Sequence, residues 1–162
     1  MFNKKETEAN QDISFKIIPS EVPDLPELTD PTKIDIRYPL IAPYVNAHIY
    51  WNSSTNELLY DVEEPILTDD ENNSLKLIEE GIQELINISF ISVKTADAVI
   101  EYLDKNIKVL LAELGIKLSQ ETFLKIMYYV YRDFVGLNEI EPIMRDYFIE
   151  DIECNGISAP IY

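Results

Sequence analysis

Glycine and histidine are scarce in this sequence of 162 residues, and their scarcity excludes two kinds of chemistry. None of the four glycines begins a Gly-x-x-x-x-Gly-Lys-Ser/Thr loop or a Gly-x-Gly-x-x-Gly turn. The sequence therefore contains no glycine loop that could bind the phosphates of a nucleotide. The single histidine, His48, excludes His-dependent catalytic triads and metal sites with several histidines. We interpret it as a surface or partly buried residue of the fold.

Cysteine is almost absent, since Cys154 is the only one. It cannot form an internal disulfide, which is typical of a reducing compartment, and we interpret it as a small buried apolar residue. Long apolar runs are also missing: no stretch approaches the roughly 20 apolar residues that cross a bilayer, and the first residues lack the apolar core of a signal peptide. The sequence thus predicts a cytoplasmic location, with any attachment to a membrane made through a partner.

Basic residues are few: 13 Lys and Arg stand against 30 Asp and Glu, so the formal net charge is −17. A field of this sign repels the phosphate backbone of nucleic acids and anionic lipid headgroups. Binding to nucleic acid and direct insertion into a membrane are therefore not expected. The natural complement is a basic surface on a partner protein.

Residues 1–35 carry four prolines among acidic and small polar residues, with too few apolar residues for a regular stripe. Prolines favour extended backbone and limit the entropy that a segment loses when it docks. The composition predicts a flexible, proline-rich acidic arm. Two alternatives stay open for it, an extended segment that docks and a disordered lead-in.

Two segments rich in aromatic and β-branched residues, Tyr44–Trp51 and Glu57–Glu63, flank a polar loop. This composition predicts a β-hairpin. Alternation places Val45 and Trp51 on one face of the first strand and His48 on the other. Because an isolated hairpin is marginally stable in water, its apolar face must pack on another element.

Three segments with apolar residues spaced by three and four follow, at about residues 72–89, 95–114 and 119–135. The second has the widest apolar stripe, which predicts the most buried helix. Ser119 is a favourable N-cap residue, and Gly115 and Gly136 each follow a helical segment, where a left-handed cap favours glycine. Short connections predict an antiparallel bundle that covers the hairpin, in a domain of residues 36–137.

The pattern changes in residues 138–162. Pro142 interrupts the helical spacing, Ile149–Cys154 alternates like a strand, and Asn155-Gly156 is typical of a turn before a second strand begins at Pro160. We expect a linker and the truncated start of a next domain. The predicted fold class is α+β: a β-hairpin packed on an antiparallel three-helix bundle, followed by the first strands of a second sheet-containing domain.

Two acidic clusters have the residue types of cation sites or of acid–base catalysis. Asp69-Asp70-Glu71 lies at a predicted helix start, where the helix dipole favours negative charge, and lacks the spacing of a calcium loop. Glu150, Asp151 and Glu153 lie on the predicted strand, where acids that face water are ordinary. We predict no catalytic and no metal-binding role for either cluster.

The most specific stretch runs from Tyr131 to Gly156, with Arg-Asp-Phe at 132–134, Ile-x-Pro at 140–142, Arg-Asp at 145–146 and Ile-Glu-Asp-Ile at 149–152. It resembles the segment of archaeal type II/IV secretion-system ATPases, including the archaellum motor ATPase, that enters the N-terminal half of the motor. Upstream, Tyr38-Pro-Leu-Ile-Ala-Pro-Tyr-Val-Asn-Ala-His-Ile resembles the opening strand of the same family. The resemblance covers about residues 38–162.

The resemblance implies a non-catalytic N-terminal docking and assembly domain of a hexameric motor driven by ATP and magnesium. Such a motor works beneath a polytopic membrane platform protein and powers export or assembly of pilin-like subunits. The family's P-loop, Walker B acid, and aspartate and histidine boxes lie downstream, so no catalytic, cofactor-binding or metal-binding residue is assigned here. The resemblance does not distinguish archaellum, pilus and protein-secretion motors.

Two arginines, Arg132 and Arg145, match positions of the family. We expect each to form a structural ion pair with Asp133, Asp146 or Glu141, and an arginine finger is the alternative. For the chain as a whole, the alternative is a stand-alone acidic adaptor with no ATPase attached. A hydrolase built on the acidic clusters is a third possibility.

Overall fold

The computed structural model describes residues 14–27, 29–88 and 95–153. Within these ranges the chain is α+β, as predicted, with a three-stranded antiparallel sheet followed by helices. The strands are β1 (Asp35–Ile41), β2 (Val45–Asn52) and β3 (Glu57–Glu63), and the helices are α1 (Asp69–Ile88), α2 (Ala96–Leu114), α3 (Gln120–Phe134) and the short α4 (Glu141–Met144). Single turns of 3-10 helix lie at Pro31–Lys33 and Asn138–Ile140.

The sheet has the order β1-β2-β3, and the predicted hairpin is its β2–β3 pair. The expectation of one opening strand over Tyr38–Ile49 is wrong, because the chain turns at Pro43 and returns as β2. Proline has no N–H to donate to a sheet ladder, and the Tyr44 N–H donates to the Ile41 carbonyl oxygen at 2.7 Å across the turn. The stretch therefore forms two antiparallel strands rather than one.

Local capping explains where the helices begin and end. The Thr68 N–H donates to the Glu71 carboxylate at 2.8 Å and the Glu71 N–H donates to the Thr68 hydroxyl at 3.3 Å, so a capping box starts α1 earlier than predicted. The Ser119 hydroxyl accepts from the Thr122 N–H before α3, as predicted. Gly115 ends α2 with a φ of 66°, which confirms the predicted left-handed cap.

Gly136 is not the left-handed cap that the sequence predicts, since Val135 caps α3 in the right-handed region and Gly136 has no positive φ. A Cβ atom at Gly136 would lie 2.8 Å from Cγ of Glu141 and 2.9 Å from the Arg132 carbonyl oxygen. Glycine is therefore required here by space and not by backbone conformation.

A cluster of buried side chains joins one face of the sheet to α1, α2 and α3. Leu103 and Ile107 of α2 are buried as predicted, whereas Val109 and Leu114 are about half-exposed. The prediction that α2 is the most buried helix is wrong, because the end of α2 leaves the core. The larger buried set belongs to α3 and comprises Phe123, Ile126, Met127, Tyr128, Val130 and Tyr131.

The described part of the N-terminal arm is attached to this core. Phe15 is only 3% exposed, and its ring stacks on that of Tyr44 with centroids 4.8 Å apart. The Ile18 N–H donates to the Ala42 carbonyl oxygen at 2.9 Å, which adds an isolated β-bridge beside the β1–β2 turn. The Tyr147 hydroxyl donates to the Ser20 carbonyl oxygen at 3.0 Å. Residues 14–20 thus form a docked strap.

The end of the described chain differs from the prediction. Ile149–Glu153 form no strand within the described residues, whereas Cys154, the Asn155-Gly156 turn and the strand at Pro160 lie outside them. A strand needs a neighbour that accepts and donates its backbone hydrogen bonds, and the three-stranded sheet provides none here. Of the helices in the described ranges, none has both the length and the apolar composition that a bilayer crossing requires.

Candidate functional site

The segment that follows α3 is held by a buried carboxylate, Glu141, which is 3% exposed. Its Oε1 atom accepts from Nε of Arg145 at 2.7 Å and from the Tyr131 hydroxyl at 3.1 Å. Its Oε2 atom accepts from the Leu137 N–H at 2.9 Å. A carboxylate with its oxygens satisfied in this way fixes the turn between α3 and α4.

Arg145 closes this network, since its Nη2 atom donates to the Tyr131 hydroxyl oxygen at 2.8 Å. Burial alone lowers the pKa of Arg145, but its hydrogen bond to Glu141 raises the pKa overall. Burial raises the pKa of Tyr131, and the charge of Glu141 raises it further. The guanidinium is therefore committed to a structural ion pair, as the sequence predicts.

Asp146, which was a predicted partner of the arginines, is buried and instead binds two tyrosines. Its Oδ2 atom accepts from the hydroxyls of Tyr38 and Tyr60, each at 2.7 Å. Its Oδ1 atom accepts from the Phe148 N–H at 2.8 Å. Burial and the hydrogen bond to Asp146 raise the pKa of both tyrosines. Asp146 thereby ties the end of the described chain to β1 and β3.

Arg132 lies on α3 and binds two acids. Its Nε atom donates to Oδ1 of Asp133 at 2.7 Å, and its Nη1 atom donates to Oε1 of Glu64 at 3.0 Å. Burial lowers the pKa of Arg132, but these hydrogen bonds raise it overall. The pair with Asp133 is the predicted one, whereas no sequence pattern indicates the pair with Glu64, which lies beyond β3. The guanidinium also covers the Tyr129 ring at 4.8 Å, so packing holds it in place.

Two open grooves meet at Glu79, Arg132 and Asp133. One groove lies between α1 and the connection from α3 to α4, where Leu137 and Ile140 line it. The other lies between α1, α3 and the segment after β3. They form one surface, with the α1 and α3 side chains at its centre.

Large apolar side chains are exposed at both ends of this surface. Ile66 is 86% exposed at one end, and Leu137 is 50% exposed at the other, beside Ile140. Burial raises the pKa of Glu79 at the centre, and the Asp133 carboxylate raises it further, while Arg132 offsets only part of this effect. An acidic side chain whose ionised form is disfavoured thus lies between two exposed apolar positions.

The other predicted positions have structural roles. His48 lies on the sheet face away from the core, with Nε2 at 2.9 Å from Oδ1 of Asp35 and Nδ1 at 3.0 Å from Oε1 of Glu63. Its side chain is 13% exposed, which confirms a partly buried residue of the fold. Glu71 of the first acidic cluster caps α1 and also accepts from the Thr122 hydroxyl at 2.8 Å.

In the part of the chain that the structure describes, no group of three or more His, Cys, Asp or Glu side chains is placed to hold one metal ion. Glu150, Asp151 and Glu153 lie on irregular chain.

The chain shares sequence similarity with an archaeal protein. No protein-family model matches the chain. It is similar to the uncharacterized protein MJ1288 of Methanocaldococcus jannaschii, with 29% identity over 103 residues. The match covers 64% of this chain and 40% of the archaeal protein. The chain therefore spans less than half the length of this relative.

Proposed function

We propose that the chain is the non-catalytic N-terminal docking and assembly domain of a hexameric secretion or archaellum motor ATPase. The observation that carries the proposal is the ordered residue pattern from Arg132 to Gly156, which resembles the segment that enters the N-terminal half of such motors. In the parent protein, ATP and magnesium would be bound by the downstream motor, which would power export or assembly of pilin-like subunits.

The geometry of the resembling residues supports a structural role in assembly. Arg132 is committed to Glu64 and Asp133, and Arg145 is committed to Glu141. Arginines held in this way position the segment that leads out of α3. Because the segment after α3 is fixed at its start, it would hold the next domain of the parent protein in a defined orientation.

The same proposal includes finer features of architecture and location. The sheet and α1–α3 form a hairpin-on-bundle domain with antiparallel helices, which a second, sheet-containing domain follows in the parent protein. The parent hexamer lies in the cytoplasm, at the membrane through a polytopic platform protein. The net charge of −17 supports a basic partner, because the cytoplasmic loops of membrane proteins are enriched in Lys and Arg.

The gene tests the proposal directly. The reading frame beyond Tyr162 is expected to encode a Gly-x-x-x-x-Gly-Lys-Ser/Thr loop, whereas a natural stop codon there contradicts the motor assignment. In the parent protein, removal of residues 14–153 is expected to abolish binding to the platform's cytoplasmic loops while the motor still binds ATP. Binding is expected to weaken as salt rises from about 50 to about 500 mM, because screening shortens the Debye length several-fold.

A second candidate is a stand-alone acidic adaptor. The surface with exposed Ile66 and Leu137 around Glu79 supports this candidate, because exposed apolar residues beside charges are typical of protein interaction sites. It requires no motor downstream, and the reading frame therefore separates the two candidates.

A further inference from the structure

The two grooves beside α1 form a continuous surface, and Glu79 and the Arg132–Asp133 ion pair lie where they meet. We call it the Glu79 groove and define it by its two apolar ends and its acidic centre. The exposed apolar ends lie on loops before α1 and after α3, far apart in the sequence. Its defining residues are Ile66, Glu79, Asp133, Leu137, Glu139 and Ile140.

We propose that the Glu79 groove binds a short basic segment of a partner protein, with apolar side chains that flank a Lys or Arg. The apolar side chains would cover Ile66 at one end and Leu137 with Ile140 at the other. The cation would lie against Glu79 and Asp133. The inference rests on the proposed docking function and names both the docking surface and the chemistry of the partner.

The centre of the groove favours a cation. Two basic side chains, Arg132 and Lys76, line the groove. Arg132 already binds Glu64 and Asp133. Lys76 lowers the pKa of Glu79, but its effect is the smallest of those that act on this carboxyl group. Glu139 adds another acid at the rim. A partner's Lys or Arg would lower the energy of the ionised Glu79 carboxylate, which burial and Asp133 raise in the free protein.

The apolar ends explain why the partner must also carry apolar residues. Ile66 is largely exposed and Leu137 is half exposed, although polar side chains line the same grooves. Burial of such side chains against a partner removes apolar area from water, which favours binding. Apolar anchors at two ends with a charge between them also fix the register of a bound segment.

The overall charge argues against two other occupants. A second copy of this chain also carries −17, so its approach would bring acids together at the groove. A nucleic acid would bring phosphates to the same acids. The basic protein segment is therefore the occupant that the charges of the groove favour.

The test uses the full 162-residue chain, isotope-labelled for NMR, and a synthetic probe. The probe is acetyl-Leu-Lys-Lys-Leu-Leu-Lys-Leu-Leu-Lys-Lys-Leu-amide, in which Leu residues flank Lys residues along the segment. Two control peptides replace every Leu by Ser or every Lys by Glu. Titration of the probe is expected to shift the amide signals of Ile66, Glu79, Leu137 and Ile140, and neither control peptide is expected to do so.

Matched variants locate the site. Leu137→Ser is expected to weaken probe binding about tenfold, because it removes an anchor, and Glu79→Gln by about threefold to tenfold, because it removes the central charge. Val109→Ser and Glu113→Gln change similar side chains on α2, outside the groove, and are expected to leave the dissociation constant unchanged. Circular dichroism confirms that each variant is folded before its affinity is compared.

Any of several results would overturn the inference. They are amide shifts confined to another face, equal weakening by Glu79→Gln and Glu113→Gln, and undiminished binding of the peptide that has Ser in place of Leu. Self-association of the chain through the groove, detected by sedimentation without peptide, would also overturn it. None of these results bears on the reading frame beyond Tyr162, so failure of the groove and failure of the motor assignment are distinguishable.

Discussion

Nε of Arg145 lies 2.7 Å from Oε1 of Glu141, one helical turn earlier, and the pair differs sharply in burial because only the carboxylate is enclosed. The Tyr131 hydroxyl and the Leu137 N–H also depend on this carboxylate. Loss of Glu141 therefore leaves three donors without this acceptor, of which the Tyr131 hydroxyl belongs to the most buried side chain.

We predict that Glu141→Ala lowers the free energy of unfolding by about 2–4 kcal/mol, because it breaks a buried ion pair and its hydrogen bonds. Urea unfolding measures the effect. Glu139→Ala is the matched control, since Glu139 is exposed, and it is expected to cost less than about 0.5 kcal/mol. Equal effects of the two substitutions would show that the Glu141 network contributes nothing.

Gly136→Ala tests the space requirement beside the same carboxylate. The added methyl group would meet Cγ of Glu141 at 2.8 Å, and we expect a loss of about 1–3 kcal/mol from overpacking. At Gly115 a methyl group meets nothing within 4 Å, and the expected loss of about 1 kcal/mol arises from the left-handed backbone alone.

A double-mutant cycle separates these two causes. The loss from Gly136→Ala is expected to shrink in the Glu141→Ala background, because the overlapping side-chain atoms are gone, while the loss from Gly115→Ala stays the same. Additive behaviour at both glycines would contradict the packing explanation.

The sequence predicts the helices well because their signals are local. The apolar spacing of α3 and the caps at Ser119 and Gly115 depend on residues within a few positions of one another. β1 escaped separate prediction although Ile36, Tyr38 and Leu40 alternate along it, because Pro39 is unfavourable within a strand and the pairing with β2 depends on the turn at Pro43.

The candidate site was largely beyond prediction because its parts are distant in sequence. Ile66, Glu79 and Leu137 line one surface only once α1 packs beside α3. The ion pairs of Arg132 and Arg145 with neighbouring acids were predictable from spacing, whereas the pair with Glu64 was not. A buried acid among tyrosines, such as Asp146, has no sequence signal of its own.

Phe15 illustrates the same limit, and it gives a further test of stability. A single aromatic residue in a proline-rich arm has no periodicity, yet it fills a site against Tyr44 and Tyr131. We predict that Phe15→Ala lowers the free energy of unfolding by about 3 kcal/mol. Ile18→Ala is the matched control, because Ile18 is exposed and its backbone hydrogen bond survives the substitution. A loss near zero for Phe15→Ala would mean that the strap contributes nothing to stability.

Two glutamates of α1 are expected to change stability with pH in opposite directions. The hydrogen bond from the Thr68 N–H, followed by that from the Thr122 hydroxyl, lowers the pKa of Glu71 below its ordinary value of 4.5. The stability that ionised Glu71 contributes is therefore fully present above about pH 4.5 and is lost as pH falls through the lower folded pKa. Glu71→Gln is expected to destabilise the protein at neutral pH, with a deficit that vanishes in acid.

Glu79 behaves in the reverse way, because burial and the Asp133 carboxylate raise its pKa above 4.5. Above the pKa of the folded state, ionised Glu79 lowers the free energy of unfolding. This loss disappears as the pH falls through the folded pKa toward the lower pKa of the unfolded state. Glu79→Gln is thus expected to stabilise the protein at neutral pH by about 0.5 kcal/mol or less, since the side chain is partly solvated. Urea unfolding at neutral pH and near pH 4 checks both signs, and destabilisation by Glu79→Gln at neutral pH would contradict the argument. Ionised Glu79 thus lowers the stability of the free protein but would strengthen binding of the proposed basic segment. Residues at binding sites often lower stability in this way, because they serve binding and not folding.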